Sequence, residues 1–230
     1  MVCYAVIPAA GKGTRIGQKT PKQFLKIGGK PLLSYTVEAF WGCDLVEGLV
    51  VAVPKSYLHK AKVLVDHLPK NKRFIVVEGG NERQESVWNC IKALPEECAW
   101  VIVHDGVRPF VSHQLINRIW SAAQETGAAI CALPCTDTIK QCYDGYVVKT
   151  LPREGLWLVQ TPQVFRKSLL IKAYNLARSN QWHVTDDASL VERLNTRIKV
   201  VEGERSNIKI TTPEDLKLAA LLRTREERCG

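Results

Sequence analysis

Several standard signatures are missing from this 230-residue chain, and each absence removes a class of protein. There is no P-loop, because no two glycines at the required spacing are followed by Lys and then Ser or Thr. None of the eight cysteines forms a C-x-x-C pair or has histidines clustered nearby, which argues against a structural zinc site. No apolar run approaches membrane-spanning length, and no signal peptide is visible. We therefore expect a cytoplasmic protein with reduced cysteines and no membrane association.

Acidic residues are also missing from positions 1–37, which contain six cations: Lys12, Arg15, Lys19, Lys22, Lys26 and Lys30. Within this segment the apolar run Tyr4–Ile7, a predicted strand, is followed by the glycine-rich stretch 8–17. Its three glycines are spaced one residue too widely for the dinucleotide fingerprint. A glycine-rich turn at a strand end with unbalanced positive charge predicts phosphate binding. The alternative is an ordinary turn with a solvated basic edge, which would normally mix both signs of charge.

The whole chain is basic, with a net charge of +9 and a pI near 9.2, so we expect an acidic partner. Nucleic acid and small phosphorylated ligands both satisfy that condition. No RNA-binding signature or basic stripe interleaved with aromatics is present, so the charge alone leaves both open. The length suits one α/β domain, which we place at 1–230, and we expect no fused second enzyme domain.

Apolar runs and helical patterns alternate along most of the chain. The predicted strands are 4–7, 49–53, 74–77, 100–103, 128–134 and 198–201. The predicted helices are 31–42 and 169–177, and others that begin near Leu58, Asn81, Ser112, Asp186 and Thr212. Thr185 and Thr212 are the expected capping residues of the last two. This alternation predicts an α/β fold with a mostly parallel sheet and helices on both faces, in which 49–53 and 74–77 are buried strands.

The alternation breaks between residues 136 and 160. Asp144-Gly145 lies between the segments 138–143 and 146–151, which is a strong signal for a β-hairpin. An isolated hairpin is marginally stable in water, so this one should pack on something. It could be an arm that crosses to a second subunit, or a simple extension of the sheet edge.

Ligands of open parallel sheets bind beyond the carboxyl ends of the strands. The segments expected there are 11–22, 54–55, 79–83, 104–108 and 134–138. Asp105 directly follows a buried strand, where a carboxylate is costly unless it is paired or bound. It could pair with Arg108 or cap a turn, or it could bind ligand hydroxyls or support a Mg²⁺ ion held by phosphates.

The segment PAAGKGTRIG followed by KTPKQFL resembles the N-terminal signature of the 2-C-methyl-D-erythritol 4-phosphate cytidylyltransferases. Further matching segments follow in order: HDGVRPF at 104–110, with Gly106 in place of the usual Ala, DTIK at 137–140, PREGLW at 152–157, TPQVF at 161–165, VTDDA at 184–188 and the segment 202–211. The resemblance covers the whole chain. It implies a three-layer αβα, nucleotide-diphosphosugar-transferase-like fold with a protruding β-hairpin arm for dimerisation. It also implies the CTP-dependent step of the non-mevalonate isoprenoid pathway.

The resemblance also implies roles for individual residues. The phosphate loop would be Ala9, Ala10, Gly11, Lys12, Gly13 and Thr14, and the catalytic cations would be Arg15 and Lys22. The groups around cytosine and ribose would be Gly80, Asn81, Arg83 and Ser86, with Asp105 as a further nucleotide contact. The polyol phosphate pocket would contain Asp105, Arg108, Thr161, Thr185 and Lys209. On the arm, Thr138 and Arg153 would reach the active site of the partner subunit in a homodimer.

The expected reaction transfers CMP from CTP to 2-C-methyl-D-erythritol 4-phosphate and releases pyrophosphate. Its nucleophile is a phosphate oxygen that is already ionised, so the main catalytic need is cations, including Mg²⁺ held mainly by the CTP phosphates. The alternative in the same class is a cytidylyltransferase for ribitol 5-phosphate or another polyol phosphate. The alternative from another class is a non-catalytic, basic, nucleic-acid-binding protein, although the resemblance favours small-molecule substrates and no nucleic acid.

Overall fold

Along the first strand, β1 (Cys3–Pro8), successive side chains point to opposite faces of a sheet. Ala5 and Ile7 pack into one apolar cluster, whereas Tyr4 and Val6 pack into another, and all four are buried. A strand with two apolar faces belongs in the middle of a sheet covered by helices on each side. The structure, a computed structural model that describes residues 1–11 and 20–229 and side chains up to residue 224, has this arrangement.

The other strands of the main sheet are β4 (Gly48–Val53), β5 (Arg73–Glu78), β6 (Trp100–Val103), β7 (Ala128–Pro134), β10 (Trp157–Arg166) and β11 (Lys199–Glu202). Two small sheets pair β2 (Lys26–Ile27) with β3 (Lys30–Pro31), and β8 (Ile139–Tyr143) with β9 (Tyr146–Leu151). The helices are α1 (Leu32–Trp41), α2 (Leu58–Lys62), α3 (Arg83–Lys92), α4 (His113–Thr126), α5 (Lys167–Ser179), α6 (Ala188–Glu192) and α7 (Pro213–Cys229). Among these helices, none has both the length and the apolar character needed to cross a bilayer.

The main sheet has the order β11-β7-β10-β6-β1-β4-β5 over the described residues. In this part of the chain β10 alone runs opposite to the other strands of the sheet. Residues of α1, α2 and α4 pack on one face, and residues of α3, α5 and α6 pack on the other. The predicted three-layer αβα architecture with a mostly parallel sheet is therefore confirmed.

The prediction for β5 was wrong in one respect. Its apolar run 74–77 was expected to form a buried strand, but these residues are only half-buried because β5 is the last strand of the sheet, beyond β4. The similar run in β4 is completely buried between β1 and β5. An unbroken apolar run identifies a strand, but it does not say how many neighbours the strand has.

Strand β10 was not predicted. Pro162 cannot donate to a ladder, which makes a central strand hard to recognise in the sequence. The pairing of β10 with β7 shifts register between Val159 and Gln163, so the proline lies in an irregular stretch of the strand. The residues from Trp157 to Gln160 were expected to belong to the arm. Instead they are the first part of β10, and Trp157, Leu158 and Val159 pair with β7.

The predicted hairpin is confirmed. Asp144 and Gly145 both have positive φ angles, 48° and 82°, as a two-residue turn between twisted strands requires. In the described part of the chain, β8 and β9 hydrogen-bond to each other and form a separate two-stranded sheet. The hairpin is therefore an arm and not an extension of the main sheet.

One of the two expected helix caps is confirmed. The Oγ1 atom of Thr212 accepts a hydrogen bond from the N–H of Asp215 at 3.2 Å, and a carboxylate oxygen of Asp215 accepts from the N–H of Thr212 at 2.9 Å. The expected cap by Thr185 was wrong, because α6 begins at Ala188, three residues later. Asp186 accepts from the N–H of Ser189 at 3.2 Å instead.

His104, which follows β6, is completely buried. Its Nε2 atom lies 3.0 Å from the carbonyl oxygen of Arg108, and its ring centroid lies 5.1 Å from that of Phe40. Burial disfavours the charged imidazolium and lowers the pKa of His104 to about 4. The folded protein therefore favours the neutral ring.

We predict that the free energy of unfolding falls as the pH drops from about 6.5 to about 4. In this range the unfolded chain protonates His104 before the folded chain does, which corresponds to a loss of roughly 3 kcal/mol at most. Urea denaturation at several pH values, on the wild type and on H104Q, measures this. H104Q should show a shallower slope, and the same substitution at the exposed His59 measures the background effect of losing a histidine. Equal slopes for H104Q and the wild type would contradict the prediction.

Candidate active site at the carboxyl ends of the parallel strands

Backbone hydrogen bonds bring the segments after β1, β5 and β6 to one edge of the sheet. The N–H of Ala9 donates to the carbonyl oxygen of Ala52 at 2.7 Å, and the N–H of Gly79 donates to that of Val53 at 2.9 Å. These bonds continue the parallel ladders beyond the strand ends, so the loops begin side by side. The loops that follow the carboxyl ends of these parallel strands therefore share one edge of the sheet, which is where ligands of such sheets bind.

Two neighbouring cavities open at this edge. The first has a volume of about 180 Å³ and lies between the segment after β1, the short helix at Lys22–Phe24 and the start of α3. The second, of about 340 Å³, lies between β10, the segment before α6 and Arg108. Their common wall consists of Arg83, Asp105 and Lys209. A ligand group in one cavity would therefore contact the same side chains as a group in the other.

Most of the predicted site residues that the structure describes line these cavities. Those in the first cavity are Ala9, Ala10, Gly11, Lys22, Gly80, Asn81, Arg83, Ser86, Asp105 and Lys209. Those in the second are Arg83, Asp105, Arg108, Thr161, Thr185 and Lys209. Four further predicted residues, Lys12, Gly13, Thr14 and Arg15, lie outside the described residues.

Two predicted residues do not line either cavity. Thr138 and Arg153 lie at the base of the hairpin arm, where both are exposed, and Arg153 donates to the carbonyl oxygen of Thr136 at 2.6 Å. The segment 54–55, which was expected at the same edge, also contributes no residue to the two cavities.

The turn before α3 can approach the segment after β1 closely because it contains glycine. A Cβ atom at Gly79 would lie 2.1 Å from the Cβ of Ala10, which is far inside contact distance. The turn is held by the first residues of α3. The Oγ of Ser86 accepts from the N–H of Gly80 at 3.1 Å, and Glu85 accepts from the N–H of Asn81 at 2.7 Å. Ser86, which was predicted to contact a ligand, therefore also shapes the turn.

Sequence reasoning missed Gln23 as part of this site. Gln23 is buried, and its side-chain amide donates to the carbonyl oxygen of Ala9. This bond attaches the short helix at Lys22–Phe24 to the end of β1, and so places Lys22 at the first cavity. The available signal was an amide between Lys22 and Phe24 in the basic N-terminal segment.

Asp105 pairs with three cations at the common wall. Its carboxylate lies 3.0 Å from Nε of Arg83, 2.8 Å from Nζ of Lys209 and 3.6 Å from Nε of Arg108. Burial by itself would raise the pKa of Asp105, but Arg83, Lys209 and Arg108 together hold it well below its usual value. The predicted pairing with Arg108 is present, although Arg83 and Lys209 are closer. Asp105 is therefore an ionised acceptor and not a general acid.

The register shift in β10 places Thr161 beside Asp105, and Asn207 in turn holds Thr161. The Oγ1 of Thr161 accepts from the backbone N–H of Asp105 at 3.0 Å. The side chain of Asn207, also completely buried, donates to the carbonyl oxygen of Thr161 at 2.7 Å. Irregular strand positions next to a site commonly redirect side chains in this way. Asn207 was not predicted as a site residue, because nothing in its local sequence marks it.

Asp187 is a second acid at this site, and sequence reasoning missed it. It lies in the matched segment 184–188 but was given no role, whereas in the structure it is buried and its carboxylate lies 2.8 Å from a terminal nitrogen of Arg83. The hydroxyl of the buried Tyr174 donates to the other oxygen. Burial, and then the charge of Asp187, raise the pKa of Tyr174 well above its ordinary value, so its hydroxyl remains a donor. The signal was a second consecutive acid in the segment Thr185-Asp186-Asp187.

The described residues contain no group of three or more His, Cys, Asp or Glu side chains placed to hold a metal ion. Asp105 is the carboxylate at the common wall, and its oxygens contact cations. A metal ion in this site would therefore need most of its ligands from the phosphates of a bound substrate.

Comparison with known proteins gives a consistent result over the full chain. A model of the 2-C-methyl-D-erythritol 4-phosphate cytidylyltransferase family matches residues 3–225. The protein of that name from Pelotomaculum thermopropionicum is 43% identical over 97% of this chain and 95% of its own length. The one from Syntrophus aciditrophicus is 42% identical over 97% of this chain and 96% of its own.

Solved structures agree with these sequence relatives. A 4-diphosphocytidyl-2C-methyl-D-erythritol synthase from Anaerococcus prevotii superposes with a TM-score of 0.85 at 32% identity, covering 97% of this chain and 96% of the other. A 2-C-methyl-D-erythritol 4-phosphate cytidylyltransferase from Thermus thermophilus gives a TM-score of 0.80 at 39% identity, covering 96% and 98%.

Proposed function

The chain belongs to the 2-C-methyl-D-erythritol 4-phosphate cytidylyltransferase family, and we propose that its two adjoining cavities are the two substrate sites of that reaction. The enzyme transfers CMP from CTP to 2-C-methyl-D-erythritol 4-phosphate in isoprenoid precursor biosynthesis. We assign CTP to the first cavity and the polyol phosphate to the second. The observation that carries this assignment is the common wall of Arg83, Asp105 and Lys209.

The reaction needs cations more than it needs a base. A phosphate oxygen of the polyol phosphate attacks the α-phosphorus of CTP, the bond to the bridging oxygen of the β-phosphate breaks, and pyrophosphate leaves. Both reactants are anions, so negative charge concentrates at the α-phosphorus in the transition state. Lys22 lines the first cavity, and Arg15 lies outside the described residues. We assign both the task of stabilising this charge.

Asp105 has a different task. Because three cations keep it ionised, it can accept hydrogen bonds from substrate hydroxyls at the wall where the two cavities meet. It would also support Mg²⁺, which neutralises the triphosphate when it is bound by the CTP phosphates. Arg108, Thr161 and Thr185 would surround the polyol phosphate, since they line the second cavity.

The choice of polyol is tested by turnover. We expect pyrophosphate release from CTP and Mg²⁺ with 2-C-methyl-D-erythritol 4-phosphate, and a lower kcat/KM with ribitol 5-phosphate. A coupled pyrophosphate assay with each polyol phosphate measures both. No release above the CTP-only background with methylerythritol phosphate would overturn the proposed function, and faster turnover with ribitol phosphate would reassign the substrate.

For the catalytic cations, we predict that K22A lowers kcat by about 10²–10³-fold, on the scale of losing one preorganised donor to a transition-state oxyanion. R15A should have an effect of similar size. The matched control is K55A, because Lys55 follows a neighbouring strand end but is exposed and lines neither cavity. Steady-state kinetics at saturating CTP measure kcat. A kcat near the wild-type value in K22A and R15A would refute their assigned role.

We further propose that the hairpin arm holds two copies of the chain together. Four of its apolar side chains are more than half exposed: Tyr143 (74%), Tyr146 (79%), Val147 (61%) and Val148 (60%). The adjoining part of β10 exposes three more, Trp157, Leu158 and Val159. Large apolar side chains exposed together in one segment are typical of an interface. A second copy that covers it would bring Thr138 and Arg153 to the partner's second cavity.

Mixing two inactive variants tests this sharing of sites. R153A and K22A should each turn over poorly, whereas an equimolar mixture after subunit exchange should recover about a quarter of wild-type activity. Random pairing makes half of the dimers mixed, and each mixed dimer holds one intact site. Each variant mixed with itself is the control. A mixture no more active than the two separate variants would contradict a site shared between subunits.

A further inference from the structure

Asp187 is a buried charge to which the proposed reaction assigns no task. It precedes α6, and its side chain is 1% exposed. An unpaired buried carboxylate is strongly destabilising, so Asp187 depends on its two partners, the hydroxyl of Tyr174 and the guanidinium of Arg83. A chain that needed Asp187 only for packing would reach the same volume with an apolar residue at no such cost. Packing alone therefore does not account for a buried carboxylate at this position.

Arg83 lies between two carboxylates. Its Nε atom is 3.0 Å from Oδ1 of Asp105, and one of its terminal nitrogens is 2.8 Å from Oδ2 of Asp187. The guanidinium group is planar, so a hydrogen bond to Asp105 at one nitrogen and an ion pair with Asp187 at another restrict the rotation of the plane as well as its position. With Asp105 alone, the long side chain could rotate about a single contact.

The contacts of Arg83 connect Asp187 to Asp105 at the common wall of the two cavities. Arg83 is at Oδ1 of Asp105, and Lys209 is at Oδ2 of the same carboxylate, 2.8 Å away. The orientation of the Asp105 carboxylate therefore depends on Arg83, and the orientation of Arg83 depends on Asp187. The three residues come from different places in the chain: Asp105 follows β6, Arg83 begins α3 and Asp187 precedes α6.

The cluster also has an unbalanced charge. Arg83, Arg108 and Lys209 lie against Asp105 and Asp187, three cations against two carboxylates, which leaves a net charge of +1 beside the two cavities. Without the charge of Asp187 the cluster would be more positive and would attract anionic substrates more strongly. The contact of residue 187 that orients Arg83 would also be weaker.

We propose that Asp187 is a positioning residue, which holds Arg83 in the plane that orients Asp105 between the two substrates. The proposal rests on the function proposed above. Asp187 acts through Arg83 and contacts neither substrate. Its contribution is therefore to the transition-state geometry, where a misplacement of about 1 Å costs on the order of 100-fold in rate.

The variant D187N separates geometry from binding. It keeps the shape and one acceptor but removes the charge. We expect kcat to fall by about tenfold or more, while KM for the polyol phosphate does not rise, because the site has become more positive. The matched control is E125Q, since Glu125 pairs with Lys199 at the surface, outside both cavities. A D187N enzyme with wild-type kcat overturns the proposal.

A double-mutant cycle tests whether Asp187 affects kcat through Arg83. R83K keeps the charge but cannot present two ion pairs in one plane. If Asp187 acts through Arg83, the double variant D187N/R83K is no slower than the slower single variant. If Asp187 affects the rate by a route that does not involve Arg83, the two losses multiply, which overturns the proposal. Should D187N fail to fold, D187E keeps the charge, displaces the carboxylate by one methylene, and is expected to show the same loss of kcat.

A crystal structure of D187N, or of D187E in its place, tests the proposal without any turnover. We expect the guanidinium plane of Arg83 to have rotated about its contact with Asp105, away from its wild-type orientation. An Arg83 in the unchanged position overturns the proposal even if the wild type is active. A wild type that makes no product with an Arg83 that has moved overturns the proposed function alone.

Discussion

The site depends on one electrostatic constraint, which is the carboxylate of Asp105 at the end of a completely buried strand. Burial disfavours its charge, so the chain must bring cations to it. Arg83, Lys209 and Arg108 do so from the start of α3, from the segment before α7 and from the loop after β6. The same ion pairs that stabilise Asp105 therefore assemble the wall between the two cavities. Stability and function share these contacts.

The antiparallel strand β10 is the second requirement. In a fully parallel sheet, the residues beside the carboxyl end of β6 would belong to another loop at a strand end. Because β10 runs in the opposite direction and shifts register near Pro162, its middle lies next to Asp105. Thr161 then accepts the backbone N–H of Asp105, and its neighbours line the second cavity. One reversed strand thus provides a wall that loops alone would have to build.

The hairpin arm shows how a local signal differs from a tertiary one. Asp144-Gly145 determines the turn by backbone conformation alone, which is why the hairpin could be located in the sequence. Its surroundings could not be located, because the alternation of side chains does not say whether the exposed face meets its own sheet or another molecule. In the structure the arm forms its own small sheet, with large apolar side chains exposed.

The sequence by itself determined the alternating strands and helices, the layers, the hairpin and the family, since each follows from local periodicity, turn chemistry or motifs in order. It also located most of the described cavity residues. Some are conspicuous as glycines, cations and an acid at strand ends, and others, such as Thr161, Thr185 and Lys209, are implied by the resemblance to the family. Only the tertiary structure decided that β5 is an edge strand and that β10 lies beside β6. It also decided that Asp187, Gln23 and Asn207 support the site. Those facts depend on which segments meet across distances of 14 to 104 residues in the chain, and burial and ion pairing at such contacts leave no local pattern in the sequence.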